Sequence, residues 1–166
     1  MNELIKALRD AMGGLMFRQM RDGNVVVSMD PFFHRLKFDR AQKDHQSRFE
    51  EASRYARFAA KSQPIYAERA SGTLKTAYNI ALSDWFNPPV IHQIEWREGQ
   101  IRVEARDDVL VTRVQVTVLD EGGRILEKGE AIRSHGDWWE FPSHAQGTMI
   151  IAEAWDLAGH VGRLVI

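Results

Sequence analysis

The feature that most constrains this chain is a change of periodicity at Asn87-Pro88-Pro89. Upstream, apolar residues recur at helical spacing over most of the length, and downstream they alternate with a period of two. A helix buries residues three and four apart, whereas a strand buries every second one. A proline pair also stops a helix, because proline lacks an amide proton and restricts the residue before it. The chain is therefore predicted to be α+β, with a hairpin-plus-helical domain over residues 1–87 and an all-β domain over residues 88–166. Charge divides at the same point. Residues 1–87 carry 14 Lys+Arg and 10 Asp+Glu, whereas residues 88–166 carry 8 and 13. The net charge of −1 conceals a +4 half and a −5 half.

Composition removes several classes. With 44% hydrophobic residues, 12 Gly and 5 Pro, the chain is neither collagen-like nor a disordered acidic tail. With no cysteine it has neither a disulfide framework nor a thiolate metal site. No apolar run approaches the roughly 18 residues of a membrane helix. The opening stretch 1–12 interrupts its apolar stripe with charges, unlike a signal peptide. The expectation is a protein with no signal peptide that is cytoplasmic or part of an assembled particle.

In the first half, Asn2 is predicted to cap a short helix with apolar positions Leu4, Ile5, Leu8 and Met12, ended by Gly13-Gly14. Two apolar runs then flank Asp22-Gly23, a hairpin signal that suits a type I′ turn. Asp30-Pro31 closes the second strand, and residues 32–38 form an apolar, basic connector. Asp39 with Gln42 is a capping box for a helix running to Ser62, with Ala41, His45, Phe49, Ala52, Ala56, Ala59 and Ala60 on one side. Pro64 opens a second helix that Gly72 ends, and Thr73 is predicted to cap a third. Its apolar set is Leu74, Ala77, Tyr78, Ala81, Leu82, Trp85 and Phe86. Residues 39–86 thus read as a three-helix unit.

The second half offers seven strands, at 90–96, 100–106, 111–119, 124–133, 137–141, 148–155 and 161–166, each bounded by turn residues. Seven short strands in such a length predict a β-sandwich. In the strand at 148–155 both faces are partly apolar, Ile150, Ala152 and Ala154 against Met149, Ile151 and Trp155. One of them must face something other than water: the helical half, a partner or a second copy.

The stretch from Glu104 to Asp120, with its Asp107-Asp108 turn and alternating Val strand, and the later Ala154-Trp155-Asp156-Leu157-Ala158-Gly159, resemble bacterial Ig-like domains of the disulfide-free kind. That resemblance covers about residues 88–166. It implies an Ig-like sandwich and adhesion or assembly roles, and no reaction. Thr76-Ala77-Tyr78 loosely resembles the Ser-Ala-Tyr motif of an HMG-box, although that motif opens the first of three helices there and lies in the last one here. The layout as a whole resembles small bacterial and prophage-type proteins.

Catalytic signatures are missing from the sequence. It has no G-x-S-x-G, S-x-x-K, P-loop or G-x-G-x-x-G. The histidines His34, His45, His92, His135, His144 and His160 form no HxH, HxxxH or HExxH pair, and no metal site or cofactor is expected. Asp107, Asp108 and Asp156 sit at turns, where oxygen-rich loop ends hold calcium or simply bond their own backbone. On the long helix, Arg40, Lys43, Arg54, Arg57 and Lys61 fall on one arc opposite the Ala stripe, with Phe58 inside it. An aromatic among cations suits a nucleic-acid or protein contact, although Glu50–Arg54 and Asp44–Arg48 also fit a solvated charged face. In Trp138-Trp139, one ring must enter the core and the other emerge; if Trp139 and Phe141 are inside, Trp138 and Glu140 are outside.

The expected function is a non-catalytic structural or interaction module that assembles with itself or with a protein partner in a bacterial or phage-type complex. The alternative is nucleic-acid binding through Arg54, Arg57, Phe58 and Lys61, and the third reading is an unrecognised enzyme.

Overall fold

A computed structural model describes residues 15–29, 39–97 and 99–166 of the chain. The helix predicted at 2–12 with its Gly13-Gly14 stop, the Asp30-Pro31 strand end and the connector 32–38 lie outside these residues. The chain divides into two compact units, Met1–Lys43 and Asp44–Ile166.

In the first unit, β1 (Leu15–Gln19) and β2 (Val25–Met29) form an antiparallel hairpin, with Phe17 opposite Val27 and Gln19 opposite Val25. The turn differs from the predicted type I′, which needs positive φ at both central residues. Only Gly23 has positive φ here, at 85°, and Asp22 does not. Gly23 N–H donates to the Met20 carbonyl, and Met20 N–H donates to that of Asn24. The bend therefore falls at Arg21-Asp22, and Gly23 takes the left-handed position after it. The Asp22 carboxylate explains the change: it holds the Asn24 amide at 3.0 Å, a local bond made with ordinary backbone angles.

Helix α1 (Arg40–Ser62) starts from the predicted capping box. Asp39 Oδ1 accepts from Gln42 N–H at 2.7 Å, and Gln42 Oε1 accepts from Asp39 N–H at 2.9 Å. Its buried residues are Ala52, Ser53, Ala56 and Ala59. The predicted apolar side is thus buried only over the second half of the helix; Ala41, His45 and Phe49 are exposed. Helix α2 (Pro64–Ala70) follows, and then α3 (Ala77–Phe86). The third helix begins later than predicted. Thr76 is its cap, accepting from Asn79 N–H, while the Thr73 hydroxyl donates to the Ala70 carbonyl and accepts from Lys75 N–H. Leu74 consequently lies outside the helix and is fully exposed.

The β part has two four-stranded antiparallel sheets. One has the order β3 (Val90–Arg97), β4 (Gln100–Arg106), β8 (Trp138–Pro142), β7 (Ile132–Arg133). The other has the order β10 (Val161–Val165), β9 (Met149–Trp155), β5 (Arg113–Leu119), β6 (Ile125–Glu130). We call these the β4 sheet and the β9 sheet. Their inner faces share one core, to which Ile101, Val103, Trp139 and Phe141 contribute from the first and Val114, Val116, Ile150 and Ala152 from the second. Each buried aliphatic side chain of this size stabilises by about 1.5–3 kcal/mol relative to its exposure.

The seven predicted strands are eight because the segment 124–133 divides. Its first part pairs with β5 and its last two residues with β8, in the other sheet. Ala131 makes the crossing, buried in the core with its N–H on the Val114 carbonyl. Alternating sequence alone does not reveal which neighbour a strand pairs with, so a strand that changes partner reads as one long strand.

The sheets approach closely where β10 passes the start of β3. A Cβ added at Gly162 would run into the Pro89 carbonyl, a backbone atom that cannot rotate away. Gly162→Ala is therefore expected to lower unfolding free energy by about 1–3 kcal/mol, the usual cost of forcing atoms into a packed site. Urea denaturation measures this directly, and an unchanged midpoint would refute the close approach.

Candidate functional site

Each strand of the β9 sheet turns one row of side chains inward, and the pleat sends the next row out. With Ile150, Ala152 and Ala154 in the core, Met149, Ile151 and Trp155 must face outward. Register extends these rows across the sheet. Val165 lies opposite Ile151, and Ile151 opposite Thr117; Met149 lies opposite Leu119, and Leu119 opposite Ile125. The result is an apolar band touching all four strands. Its rim is exposed, at 45% for Val165, 40% for Met149 and 55% for Ile125, while Thr117 and Leu119 on the central strand β5 are buried. A polar row runs beside it, with Arg163 opposite Glu153, Glu153 opposite Gln115 and Gln115 opposite Glu130. Beyond that row, the Arg113 guanidinium lies 3.9 Å from the centre of the Trp155 ring.

The outer face of the β4 sheet is built differently. Arg102 bridges Glu95 at 3.2 Å and Glu140 at 3.6 Å, and Arg106 bridges Glu104 at 2.7 Å and Asp137 at 2.9 Å. Trp139 and Phe141 are in the core and Trp138 faces out, as the alternation required of the pair. Trp138 is half-buried because the Arg102 guanidinium lies over its ring at 4.5 Å, a cation–π contact that takes up its aromatic face.

The helices pack on the loops at one end of the sandwich. Ala56, Ala59, Tyr66 and Ala81 share a second core with Val109, and Leu110 and Leu157 pack against it. Arg69 donates to the Val109 carbonyl at 2.9 Å. Inside this junction runs a hydrogen-bonded chain: the Tyr55 and Tyr66 hydroxyls are 2.5 Å apart, and Tyr66 donates to Asp84 Oδ2 at 2.6 Å. Asp84 is fully buried. Burial first, and then the nearby Asp107 and Asp156 carboxylates, raise its pKa to about 7, against the lowering effect of the Tyr66 hydroxyl. Burial also raises the pKa of both tyrosine hydroxyls. The Oδ1 atoms of Asp84 and Asp107 are both buried without an N–H or O–H partner, and the two side chains are hydrogen-bond neighbours. A proton on Asp84, donated to Asp107, satisfies both.

The three loop aspartates are separately engaged. Asp107 Oδ2 accepts from the Val109 and Leu110 amides, Asp108 from the Asn87 amide, and Asp156 from the His160 amide and ring. The His160 ring meets Trp85 edge to face. Among the described residues, no group of three or more His, Asp or Glu is placed to hold a metal ion. On α1, Arg54, Arg57, Phe58 and Lys61 are all exposed, Phe58 at 70%, and the Arg57 guanidinium is anchored by Ser53 Oγ at 3.1 Å. No helix among the described residues is long and apolar enough to cross a membrane.

Two features escaped the sequence reading. Asp84 was legible in part, since it stands three residues after Ala81 and seven after Ala77 on the apolar side of α3. Val165 and Ile125 join the outward band only through pairing with other strands. Compared with known proteins, the chain matches no family model, and no curated protein matches it either.

The junction makes stability depend on pH with a defined sign. Asp84 titrates near 3.8 in the unfolded chain and at about 7 in the folded one, so between these values only the folded state holds the proton. Stability therefore falls as pH rises from about 4 to about 7 and levels off above. Asp84→Asn supplies a permanent donor to Asp107 and still accepts from Tyr66. It is expected to remove that slope and to gain about 1–3 kcal/mol over the parent at pH 8, the cost of an unsatisfied buried group. Urea unfolding across this pH range tests it, and parallel profiles for the two proteins would refute the shared proton.

Proposed function

We propose that the chain is a non-catalytic interaction module, part of an assembly of bacterial or phage type, whose β part is an Ig-like sandwich. The strand arrangement supports the Ig-like reading. Successive pairs β3–β4, β5–β6, β7–β8 and β9–β10 alternate between two sheets, the grouping of the Ig family's ABED and GFC sheets with one extra edge strand. The observation that carries the functional reading is the contrast between the two outer faces. The β4 sheet covers most of its surface with ion pairs and leaves Ile132 exposed at its edge, whereas the β9 sheet turns apolar residues outward on all four strands, with Met149, Ile125 and Val165 exposed. Exposed apolar residues gathered on one face in this way support a site of association.

Size analysis of the native complex tests this. In extracts of the native host, the chain is expected in particles heavier than its own 19.1 kDa. Met149→Glu, which puts a charge in the band at an exposed position, is expected to return it to that mass with folding intact. A chain that runs at its monomer mass in the native extract would overturn the reading.

A second reading rests on a different surface. Phe58 projects from α1 among the exposed Arg54, Arg57 and Lys61, the combination of stacking ring and cations that suits single-stranded nucleic acid. On this reading the purified chain binds a single-stranded oligonucleotide at low salt, and affinity falls as salt rises because counterions are released. Replacing both Arg54 and Arg57 by Glu is expected to weaken binding at least tenfold. No binding at low salt, or binding indifferent to these charges, would dismiss it.

A further inference from the structure

We propose that the occupant of the apolar band is a second copy of this chain, paired face to face through the β9 sheet about a two-fold axis parallel to the strands. This deepens the interaction-module reading and rests on it. The reason is how the rows match. In the order β10, β9, β5, β6, such an axis sets β10 against the copy's β6 and β9 against the copy's β5. The polar row then places Arg163 before Glu130 of the copy, beside the 3.5 Å bridge that Glu130 makes to Arg113 of its own chain, and the symmetry repeats the arrangement at the other edge. In the same row Glu153 meets Gln115. In the next, Val165 lies along the Lys128 stem and Ile151 meets Thr117, and in the last Met149 meets Leu119. At the end nearest the helices, Trp155 meets Arg113. No like charges oppose each other in any row. A two-fold axis across the strands would instead lay β9 over itself, setting Glu153 against its own copy, Ile151 or Met149 according to where the axis crosses. Two sheets packed this way cross at about 30°, an offset that the long Arg163 and Glu130 side chains span.

The area sets the strength. Four strands about 4.8 Å apart, of 5, 7, 7 and 6 residues, give a face on the order of 400 Å² per copy, and hence about 800 Å² in the pair. That is below the roughly 1,200 Å² at which stable complexes begin, so the pair is a weak, transient one.

Sedimentation of the purified full chain from about 2 to about 200 µM is the test, a span that brackets micromolar dissociation. The expected result is a reversible shift from 19.1 kDa towards twice that mass. Met149→Glu and Ile151→Glu are each expected to weaken association at least tenfold, with Met149→Glu, at an exposed position, keeping the parent's thermal midpoint. Arg163→Glu is expected to weaken it about fivefold or more, and adding Glu130→Arg to restore it, the signature of opposed charges across an interface. Within one chain these two residues stand on opposite edges of the sheet, and Glu130 bridges Arg113 there at 3.5 Å, so Glu130→Arg alone is the control against which rescue of Arg163→Glu reports contact between copies. A monomer at every concentration, association unmoved by Met149→Glu, or a double charge swap without rescue would each overturn the proposal. If the purified chain is monomeric while the native particle still depends on Met149, self-pairing alone falls. If neither form associates, the interaction-module reading falls with it.

Discussion

A strand's pleat gives it one inward row and forces the next row out, and that constraint decides the surface of this protein. In β9 the inward row is Ile150, Ala152 and Ala154, small enough together for the facing sheet to close over them. Once they are inside, Met149, Ile151 and Trp155 have no alternative to the outside, because a one-residue slip would move the entire strand to the wrong face. The apolar band is therefore a consequence of the core, not a loose feature of the surface. On the β4 sheet the same rule sends Glu95, Arg102, Glu104, Arg106 and Glu140 outward, where Arg102 pairs with Glu95 and Glu140 and Arg106 pairs with Glu104.

The helices do not relieve that exposure, because they bind elsewhere. Their small-residue face, Ala52, Ala56 and Ala59 with Ala81, allows close helix-to-helix approach, and the shared core reaches Val109, Leu110 and Leu157 in the loops at the sandwich end. At the centre of this contact lies the buried chain Tyr55–Tyr66–Asp84. An apolar residue in place of Asp84 would leave Tyr66 without its acceptor, while an ionised Asp84 would face two other carboxylates. A protonated Asp84 resolves both conflicts, donating to Asp107 and accepting from Tyr66. Helix docking is thus a polar fit set within an apolar one, which specifies orientation more narrowly than the Ala face alone.

The sequence carried the local rules well, since each depends on residues close together. The Asp39–Gln42 capping box, the opening of α2 at Pro64, the change from helix to strand around Pro88 and the inward rows of β4, β5 and β9 are all set within a few positions. What it did not carry depends on partners distant in the chain. Ala131 is an unremarkable residue in an alternating run until Val114 and Trp139 are seen to compete for its neighbours. Thr73 and Thr76 are equally good caps by composition, and only the Thr73 bonds to Ala70 and Lys75 separate them. Trp138 was readable as outward, but the Arg102 that covers it comes from a strand more than thirty residues earlier. Of the candidate surfaces, the basic arc of α1 was visible from its own spacing. The band on the β9 sheet was visible only as the outward half of one strand.

One end and both faces of the sandwich are built differently. One end is taken by helices, one face is sealed by ion pairs, and one face is left apolar at its centre and charged in a row beside it. If two copies pair through the β9 sheet, the contact buries surface where that gains most and costs least in stranded charge, and its two-fold symmetry closes it at a pair. A band of small area fits this role better than a large one would. A weak face-to-face contact forms and dissolves readily, yet holds firmly when two chains are kept close by a second attachment, since the local concentration then exceeds the dissociation constant.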